Sequence, residues 1–179
     1  PPSPPRMLCA ARVTMSGTVT TVAGRCGSLM EGYGEVDGTG TAARFADPYG
    51  ITAVAGILYV SDINGHVIRR VTTAGVVTTI AGQPNVPGSA DGTGTLALFN
   101  QPGLLHLDAT AGTITMGDLG NNAIRRVATS GAVASVTGSA PAGYVDGSGL
   151  PVAVSSPLVS LPVDPVFLPQ EVVETIAGT

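Results

Sequence analysis

The chain has 179 residues, enough for one domain with a hydrophobic core, and only 11% of them are charged. The formal net charge is −4 and no run of Lys and Arg occurs. A nucleic-acid partner is therefore not expected, because phosphate binding needs clustered basic residues. Gly and Pro interrupt every apolar stretch before the roughly 18 residues that a membrane-spanning helix requires, so no membrane span is predicted.

The first residues form a short polyproline tract, PPSPP. Prolines favour a stiff, extended backbone, so residues 1–6 are predicted to be a Pro-rich linker. Cys9 and Cys26 follow and flank a predicted hairpin that turns near Gly17. A hairpin brings these two positions together at its open end. A disulfide is predicted if the compartment is oxidising, and two buried thiols are the alternative.

One phrase recurs four times along the chain. It reads GTVTTVAG over residues 17–24, GVVTTIAG over 75–82, GAVASVTG over 131–138 and VVETIAG over 172–178. The closing glycines of the first three copies are 58 and 56 residues apart (24 to 82 and 82 to 138), whereas the last step, 138 to 178, is 40 residues. Self-similarity at a fixed long period predicts an array of stacked repeats.

A second motif begins with Asp-Gly-x-Gly and ends with Pro. It reads DGTGTAARFADP over residues 37–48, DGTGTLALFNQP over 91–102 and, less closely, DGSGLPVAVSSP over 146–157. In the first two copies an apolar run, an alternating run (ILYVSD or TITMGD) and a run containing Arg-Arg come before the repeated phrase. Each unit therefore holds four short β-type runs separated by turn residues, which is the pattern of a four-stranded propeller blade.

The predicted fold class is all-β, an incomplete β-propeller of four-stranded antiparallel blades. The propeller segment is predicted over residues 7–179, with a half-blade at 7–28, complete blades at 29–82 and 83–138, and a truncated blade at 139–179. The half-blade is expected to contain the last two strands of a blade, because residues 10–24 match 68–82. A single blade cannot bury both of its faces, so the repeats are expected to stack.

The order of these motifs resembles the NHL-repeat family of β-propellers. The elements are Pro, Gly-Ile, Leu-Tyr-Val-Ser-Asp, Asn-x-His-x-Ile-Arg-Arg-Val and Gly-x-Val-Thr-Thr-Ile-Ala-Gly, with the best match over residues 48–82 and a second over 102–138. The second unit departs from the pattern. It has Asn122-Ala123 where the first unit has His66-Val67, and so it lacks the His. His66 is therefore not expected to be essential to the blade. The resemblance implies a ring of more blades than this chain supplies, so closure by one chain is not expected.

Each complete unit carries an Arg pair in its third strand and an Asp at the end of its second. These residues are Asp62, Arg69 and Arg70 in one unit and Asp118, Arg125 and Arg126 in the other. Neighbouring strand residues point to opposite faces, so at most one Arg of each pair can serve a structural role and at most one can serve an anion-binding role. A structural role, as a blade-to-blade ion pair or a backbone hydrogen bond, is favoured over an anion-binding face because the pairs recur with the repeat.

The candidate binding loops are the Asp-Gly-x-Gly loops and the turns between the second and third strands. Their candidate residues are Asp37, Asp91, Asp146, Asn64, Asn121 and Asn122. A Ca²⁺ site is disfavoured because each Asp-Gly-x-Gly loop offers one carboxylate. His66 and His106 are the only histidines and do not form a three-ligand metal site. No catalytic, cofactor-binding or metal-binding residue is predicted, and enzyme activity is not expected.

The Ser-Pro-Pro tract resembles those of the hydroxyproline-rich glycoproteins of green algae and plants. This resemblance implies hydroxylation and glycosylation of Pro1, Pro2, Pro4 and Pro5 and a secreted, cell-surface or cell-wall location. No Asn-x-Ser/Thr acceptor occurs, so N-glycosylation is not expected.

The predicted function is a non-catalytic extracellular interaction or structural module. It is expected to associate through its open blade edges with copies of itself or with neighbouring propeller blades of other chains, in a ring or a filament. The alternative is a fragment of an NHL-propeller enzyme, a lyase or a lactonase-like hydrolase, whose catalytic ligands lie outside this chain.

Overall fold

The computed structural model of the protein describes residues 8–26 and 33–137. These residues form twelve β-strands and three single-turn 3-10 helices, with no α-helix among them, so the all-β prediction is confirmed. The strands in chain order are β1 (Leu8–Val13), β2 (Val19–Arg25), β3 (Gly38–Thr39), β4 (Pro48–Val54), β5 (Ile57–Asp62), β6 (Val67–Thr72), β7 (Val76–Ala81), β8 (Gly92–Thr93), β9 (Pro102–Asp108), β10 (Thr113–Asp118), β11 (Ala123–Ala128) and β12 (Ala132–Thr137).

The strands form three antiparallel sheets. The first is the β1–β2 hairpin, which we call the leading half-blade. The second, blade 1, has the spatial order β3-β7-β6-β5-β4, and the third, blade 2, has the order β8-β12-β11-β10-β9. In each blade the four long strands form a meander, so the prediction of an incomplete β-propeller with four-stranded antiparallel blades is confirmed. The predicted linker at 1–6 and truncated blade at 139–179 lie outside the described residues.

Each blade also has a two-residue fifth strand that the sequence pattern does not predict. β3 pairs with β7, and β8 pairs with β12, through Gly-Thr of the Asp-Gly-x-Gly motif. The chain then enters a 3-10 turn at Gly40 or Gly94, where φ is +57° or +61°. The motif therefore supplies an edge strand as well as a turn, and the repeated phrase is the second strand from that edge.

A β-bulge marks equivalent positions in the three sheets. The bulge lies between Ala10 and Ala11 in the leading half-blade, between Ile68 and Arg69 in blade 1, and between Ile124 and Arg125 in blade 2. The β1–β2 hairpin is therefore the counterpart of β6–β7 and of β11–β12. Ala11 stands where each complete blade has its first Arg, and it is buried like them.

The hydrophobic core lies between consecutive sheets. Leu58 and Val60 of β5 pack with Phe45 in a cluster that includes Ala23 of the leading half-blade. Tyr59, between them in sequence, packs on the opposite face with residues of blade 2 that include Phe99. The predicted alternation in β5 is thus observed, and the two faces of blade 1 are buried against different neighbours.

The glycine that closes the repeated phrase is required by both its backbone conformation and its surroundings. Gly24 and Gly82 have φ values of +89° and +92°, which side-chain-bearing residues rarely adopt. A Cβ atom on Gly82 would lie 3.1 Å from the ring of Phe99, and one on Gly24 would lie 2.9 Å from the ring of Phe45. The absent side chain therefore lets both the backbone of the neighbouring strand and an aromatic ring of the following blade pack closely.

The predicted disulfide between Cys9 and Cys26 is present, with their Cα atoms 5.2 Å apart. It joins the residues at the open end of the β1–β2 hairpin, where Cys9 pairs with Gly24.

Within residues 8–26 and 33–137, no helix has the length and apolar character needed to cross a bilayer.

Candidate functional site

Blade 2 contains a buried Arg at the centre of a polar cluster. Arg125 Nη1 donates to Asp118 Oδ2 at 2.9 Å and to the carbonyl of Leu98 at 3.2 Å. Its Nη2 donates to Asp91 Oδ1 at 2.7 Å and to the carbonyl of Ala90 at 3.0 Å. We call Arg125, Asp91 and Asp118 the Arg125 cluster. It joins the third strand of the blade to the segment that precedes its first strand.

Blade 1 repeats this arrangement with one additional carboxyl group. Arg69 Nη1 donates to Glu35 Oε2 at 2.6 Å and to the carbonyl of Arg44 at 3.0 Å. Its Nη2 donates to Asp37 Oδ1 at 2.8 Å and to the carbonyl of Val36 at 3.0 Å. We call Arg69, Glu35, Asp37 and Asp62 the Arg69 cluster.

An aromatic ring covers each buried guanidinium group. The Cζ atom of Arg69 lies 5.1 Å from the centre of the Phe45 ring, and that of Arg125 lies 5.4 Å from the centre of the Phe99 ring. Burying a charge is costly unless hydrogen bonds and ion pairs replace its water. Here carbonyl oxygens and carboxylates replace that water at Nη1 and Nη2, and the face of an aromatic ring covers the group, whereas Nε of each Arg is buried without a hydrogen-bond partner among the described residues.

The Asp of each Asp-Gly-x-Gly motif also binds the repeated phrase. Asp37 Oδ2 accepts from the amide of Thr79 at 3.0 Å, and Oδ1 accepts from its hydroxyl at 3.0 Å. Asp91 makes the same two contacts with Ser135, at 3.0 Å and 2.9 Å. Burial alone would raise the pKa of Asp91, but hydrogen bonds from Ser135 and the charge of Arg125 outweigh it and lower that pKa. This contact explains why the fifth residue of the repeated phrase carries a hydroxyl group, as Thr79 in blade 1 and Ser135 in blade 2.

The Asp at the end of β5 and of β10 joins the turn that follows it to the segment that precedes β4 or β9. Asp62 accepts from the amides of Ala46, Asp47 and Gly65, at distances of 2.8, 2.6 and 3.3 Å. Asp118 accepts from the amide of Asn100 at 2.7 Å in addition to Arg125. Burial raises the pKa of Asp118, and its hydrogen bonds and the positive charge of Arg125 oppose that rise only in part.

The Arg pairs divide between the two faces of the sheet as alternation requires. Arg69 and Arg125 are buried, Arg70 is partly buried and Arg126 is exposed. The buried Arg of each pair makes backbone hydrogen bonds, which is one of the two structural roles expected, and within the described part of the chain it does not form the other, an ion pair between blades. The ion pairs lie within one blade, because the carboxylates come from the same repeat unit as the Arg.

The candidate binding turns contain Asn residues that bind the protein itself. Asn64 Nδ2 donates to Asp47 Oδ2 at 2.9 Å. Asn121 Nδ2 donates to Asp118 Oδ2 at 2.8 Å and to the carbonyl of Gly88 at 2.7 Å. Asn122 has a left-handed backbone with φ of +50°, at the position equivalent to His66. The candidate residue Asp146 and the four prolines Pro1, Pro2, Pro4 and Pro5 lie outside the described residues.

Two side chains of blade 1 that are found in only one unit, those of His66 and Ser61, make hydrogen bonds to blade 2. The amide of Gln101 donates to His66 Nδ1 at 3.1 Å. The hydroxyl of Ser61 donates to the carbonyl of Gly103 at 2.7 Å and accepts from the amide of Gly50 at 2.8 Å. His66 therefore has an inter-blade contact, which its presence in a single unit does not predict. Burial lowers the pKa of His66, and Asp62 opposes that shift in part.

Glu35 is the one member of the clusters absent from the sequence prediction. Its side chain is 1% exposed and contacts Arg69. It lies two residues before the Asp-Gly-x-Gly motif, and the equivalent residue of the next unit is Ser89. A search for residues common to both units therefore passes over it.

The described residues provide no evident site for a metal ion. In residues 8–26 and 33–137, no three His, Cys, Asp or Glu side chains are grouped as metal ligands would be. His106 lies in β9 opposite Thr115, away from the Arg125 cluster in sequence and in strand register. The chemistry that the clusters support is ion pairing and backbone capping within a blade.

Comparison with known proteins shows the fold. The chain matches no protein-family model and no curated protein sequence. It is similar to a structural-genomics protein of unknown function from Bacteroides thetaiotaomicron, with 29% identity and a TM-score of 0.59, covering 71% of this chain and 30% of that one. It is also similar to an auxiliary nutrient binding protein from Bacteroides ovatus, with 31% identity and a TM-score of 0.57, covering 72% and 32%.

A second auxiliary nutrient binding protein, from Bacteroides thetaiotaomicron, is 24% identical, has a TM-score of 0.54, and is matched over 74% of this chain and 33% of that one. This chain therefore spans about a third of the length of the solved proteins it resembles.

Proposed function

We propose that this chain is a non-catalytic interaction module of NHL-type repeats that acts outside the cell and associates with other copies through its blade faces. The observation that carries this proposal is the position of the core. Both apolar clusters lie between sheets, so a blade face is stable when another sheet covers it.

The use of the motif residues supports a structural role over a catalytic one. The carboxylates of Asp37, Asp91 and Asp118 and both buried Arg side chains bind groups of their own blade. A catalytic group must reach a substrate, whereas Arg69, Arg125 and Asp118 are buried. The similarity to two auxiliary nutrient binding proteins also favours binding over turnover.

The proposed location depends on the disulfide. Cys9 and Cys26 are bonded, and such bonds persist in oxidising compartments such as the cell exterior. The Ser-Pro-Pro tract fits the same location, and glycosylation of its prolines stays a prediction.

Sedimentation velocity of the full chain tests the proposed association. We expect the mean mass to rise with protein concentration, because an apolar blade face is stable when another sheet covers it. Ile124→Asp should reduce this rise, since Ile124 is the blade 2 counterpart of Ile68, which is buried between the blades. Leu96→Asp is the matched control, because Leu96 is 77% exposed. A well-folded monomer at every concentration would overturn the proposal.

A further inference from the structure

The two Arg clusters differ by a reciprocal exchange of two residues. Alignment of the repeats places Glu35 with Ser89 and Gly65 with Asn121. A Cβ atom on Gly65 would overlap the carboxyl group of Glu35. In blade 2 the side chain of Asn121 extends from this position and binds Asp118. One blade thus fills the space with Glu from the preceding loop, and the other fills it with Asn from the turn.

In blade 2 the filling group is a neutral hydrogen-bond donor. The amide of Asn121 donates to Asp118 and to the carbonyl of Gly88, and it adds no charge to the buried cluster. Arg125 is then balanced by two carboxylates, those of Asp91 and Asp118.

In blade 1 two carboxyl groups converge on one amide. The amide of Ala46 donates to Asp62 Oδ2 at 2.8 Å and to Glu35 Oε1 at 3.1 Å. Arg69 contacts Glu35, whereas Asp62 is held by backbone amides. If Glu35 and Asp62 were both ionised, two buried negative charges would lie side by side with one guanidinium group.

We infer that Glu35 and Asp62 share one proton, so that Glu35 serves as a neutral donor in the place of the Asn121 amide, and that blade 1 loses stability as the pH rises, because unfolding releases this proton. With Glu35 neutral, Arg69 is balanced by Asp37 and Asp62, which reproduces the charge of the Arg125 cluster. This inference does not depend on the proposed function.

The surroundings of the pair support this assignment. Burial, followed by the charge and hydrogen bond of Asp62, raises the pKa of Glu35 to about 9, and Arg69 and the Ala46 amide oppose the rise only in part. The titratable and charged groups near the pair are Asp37, Arg44, Asp47, His66 and Arg69.

The sign of the pH dependence follows from these values. The pKa of Glu35 is higher in the folded chain than its ordinary value of 4.5. The stabilising contribution is therefore complete below about pH 4.5 and is lost as the pH rises towards 9. Over that window unfolding releases one proton, so the unfolding equilibrium constant rises about tenfold per pH unit.

Carbon-13 NMR of the full chain with labelled glutamate carboxyl groups tests the shared proton. The chain has four Glu residues, so four resonances are expected. One should titrate far above the others, near pH 9, and this resonance should be absent from Glu35→Gln. Titration of all four resonances near the ordinary value would overturn the inference.

Introducing the blade 2 residues Ser and Asn at positions 35 and 65 of blade 1 tests the predicted effect of pH on stability. The double variant Glu35→Ser with Gly65→Asn should fold and should keep its unfolding midpoint between neutral pH and about pH 9, whereas the wild type should lose stability across that range. Glu35→Gln should behave like the double variant, because a Gln amide can donate to Asp62 without a charge. Equal alkaline loss in the wild type and in both variants would contradict the inference.

Discussion

Arg125 Nη2 and Asp91 Oδ1 lie 2.7 Å apart although their residues are 34 positions apart in the chain. This contact joins the Arg-Arg motif of the third strand to the Asp-Gly-x-Gly motif that begins the same unit. Asp91 continues the link to Ser135 in the repeated phrase. Three motifs that look independent along the chain are therefore parts of one cluster, and blade 1 builds the same cluster from Arg69, Asp37 and Thr79.

Replacing the buried Arg should strongly destabilise its blade. Arg125→Ala leaves Asp91 and Asp118 without their cation, and breaking a buried ion pair in this way costs about 3–5 kcal/mol. The free energy of unfolding, measured by urea denaturation, should fall by about that amount. Arg126→Ala is the control, because exposed substitutions change stability by about 0.5 kcal/mol or less. Equal effects of the two variants would show that the cluster does not stabilise the blade.

Replacing Gly82, which closes the repeated phrase, by Ala should destabilise the protein more than replacing Gly94, which lies in a turn. Gly94→Ala introduces a side chain at positive φ with no atom within 4 Å, and strain at such a position costs about 1–2 kcal/mol. Gly82→Ala also has a strained positive φ, and its Cβ would overlap the carbonyl oxygen of His66 and lie 3.0 Å from Val67 Cα. We expect thermal unfolding to show a clearly larger loss for Gly82→Ala. A smaller loss than that of Gly94→Ala would contradict the close packing around Gly82.

Reduction of the disulfide should loosen the leading half-blade. The bond joins residues 17 positions apart, and closing a loop of this size stabilises a fold by about 3 kcal/mol in chain-entropy models. A reducing agent should therefore lower the melting temperature of the wild type. The double variant Cys9→Ser with Cys26→Ser should start from the lower value and should not respond to the reducing agent. An identical response of both proteins would contradict the bond.

Acid should weaken the contact between the two blades at His66. Burial lowers the pKa of His66, and its neutral Nδ1 accepts from the amide of Gln101. Because the folded pKa is below the ordinary value of 6.5, this contribution is complete above that pH and is lost as the pH falls through the folded pKa. NMR titration should place the midpoint of His66 below 6.5, with His66→Asn identifying the resonance. A midpoint above 6.5 would contradict the buried acceptor.

More of the fold than of the two Arg clusters could be predicted from the sequence. Alternation in β5 assigns Leu58 and Tyr59 to opposite faces, and the repeats define the blades, because both signals are local or periodic. The pairing of Asp91 with Arg125 could not be predicted, since it joins positions far apart in the chain and other carboxylates were equally available. Glu35 and His66 were passed over for a different reason. Each occurs in one unit only, so the features common to both units do not identify them.

A double-mutant cycle on Asp91 and Arg125 tests most directly the central claim, that the repeated motifs form one structural cluster in each blade. The free energies of unfolding of the wild type, Asp91→Ala, Arg125→Ala and the double variant give the coupling between the two side chains. We predict a coupling of about 1–3 kcal/mol, as found for residues in one ion-pair network, and additive effects in a control cycle of Asp91 with Arg126. Additive effects for Asp91 and Arg125 would contradict the claim and would leave the Asp-Gly-x-Gly loop available for another role.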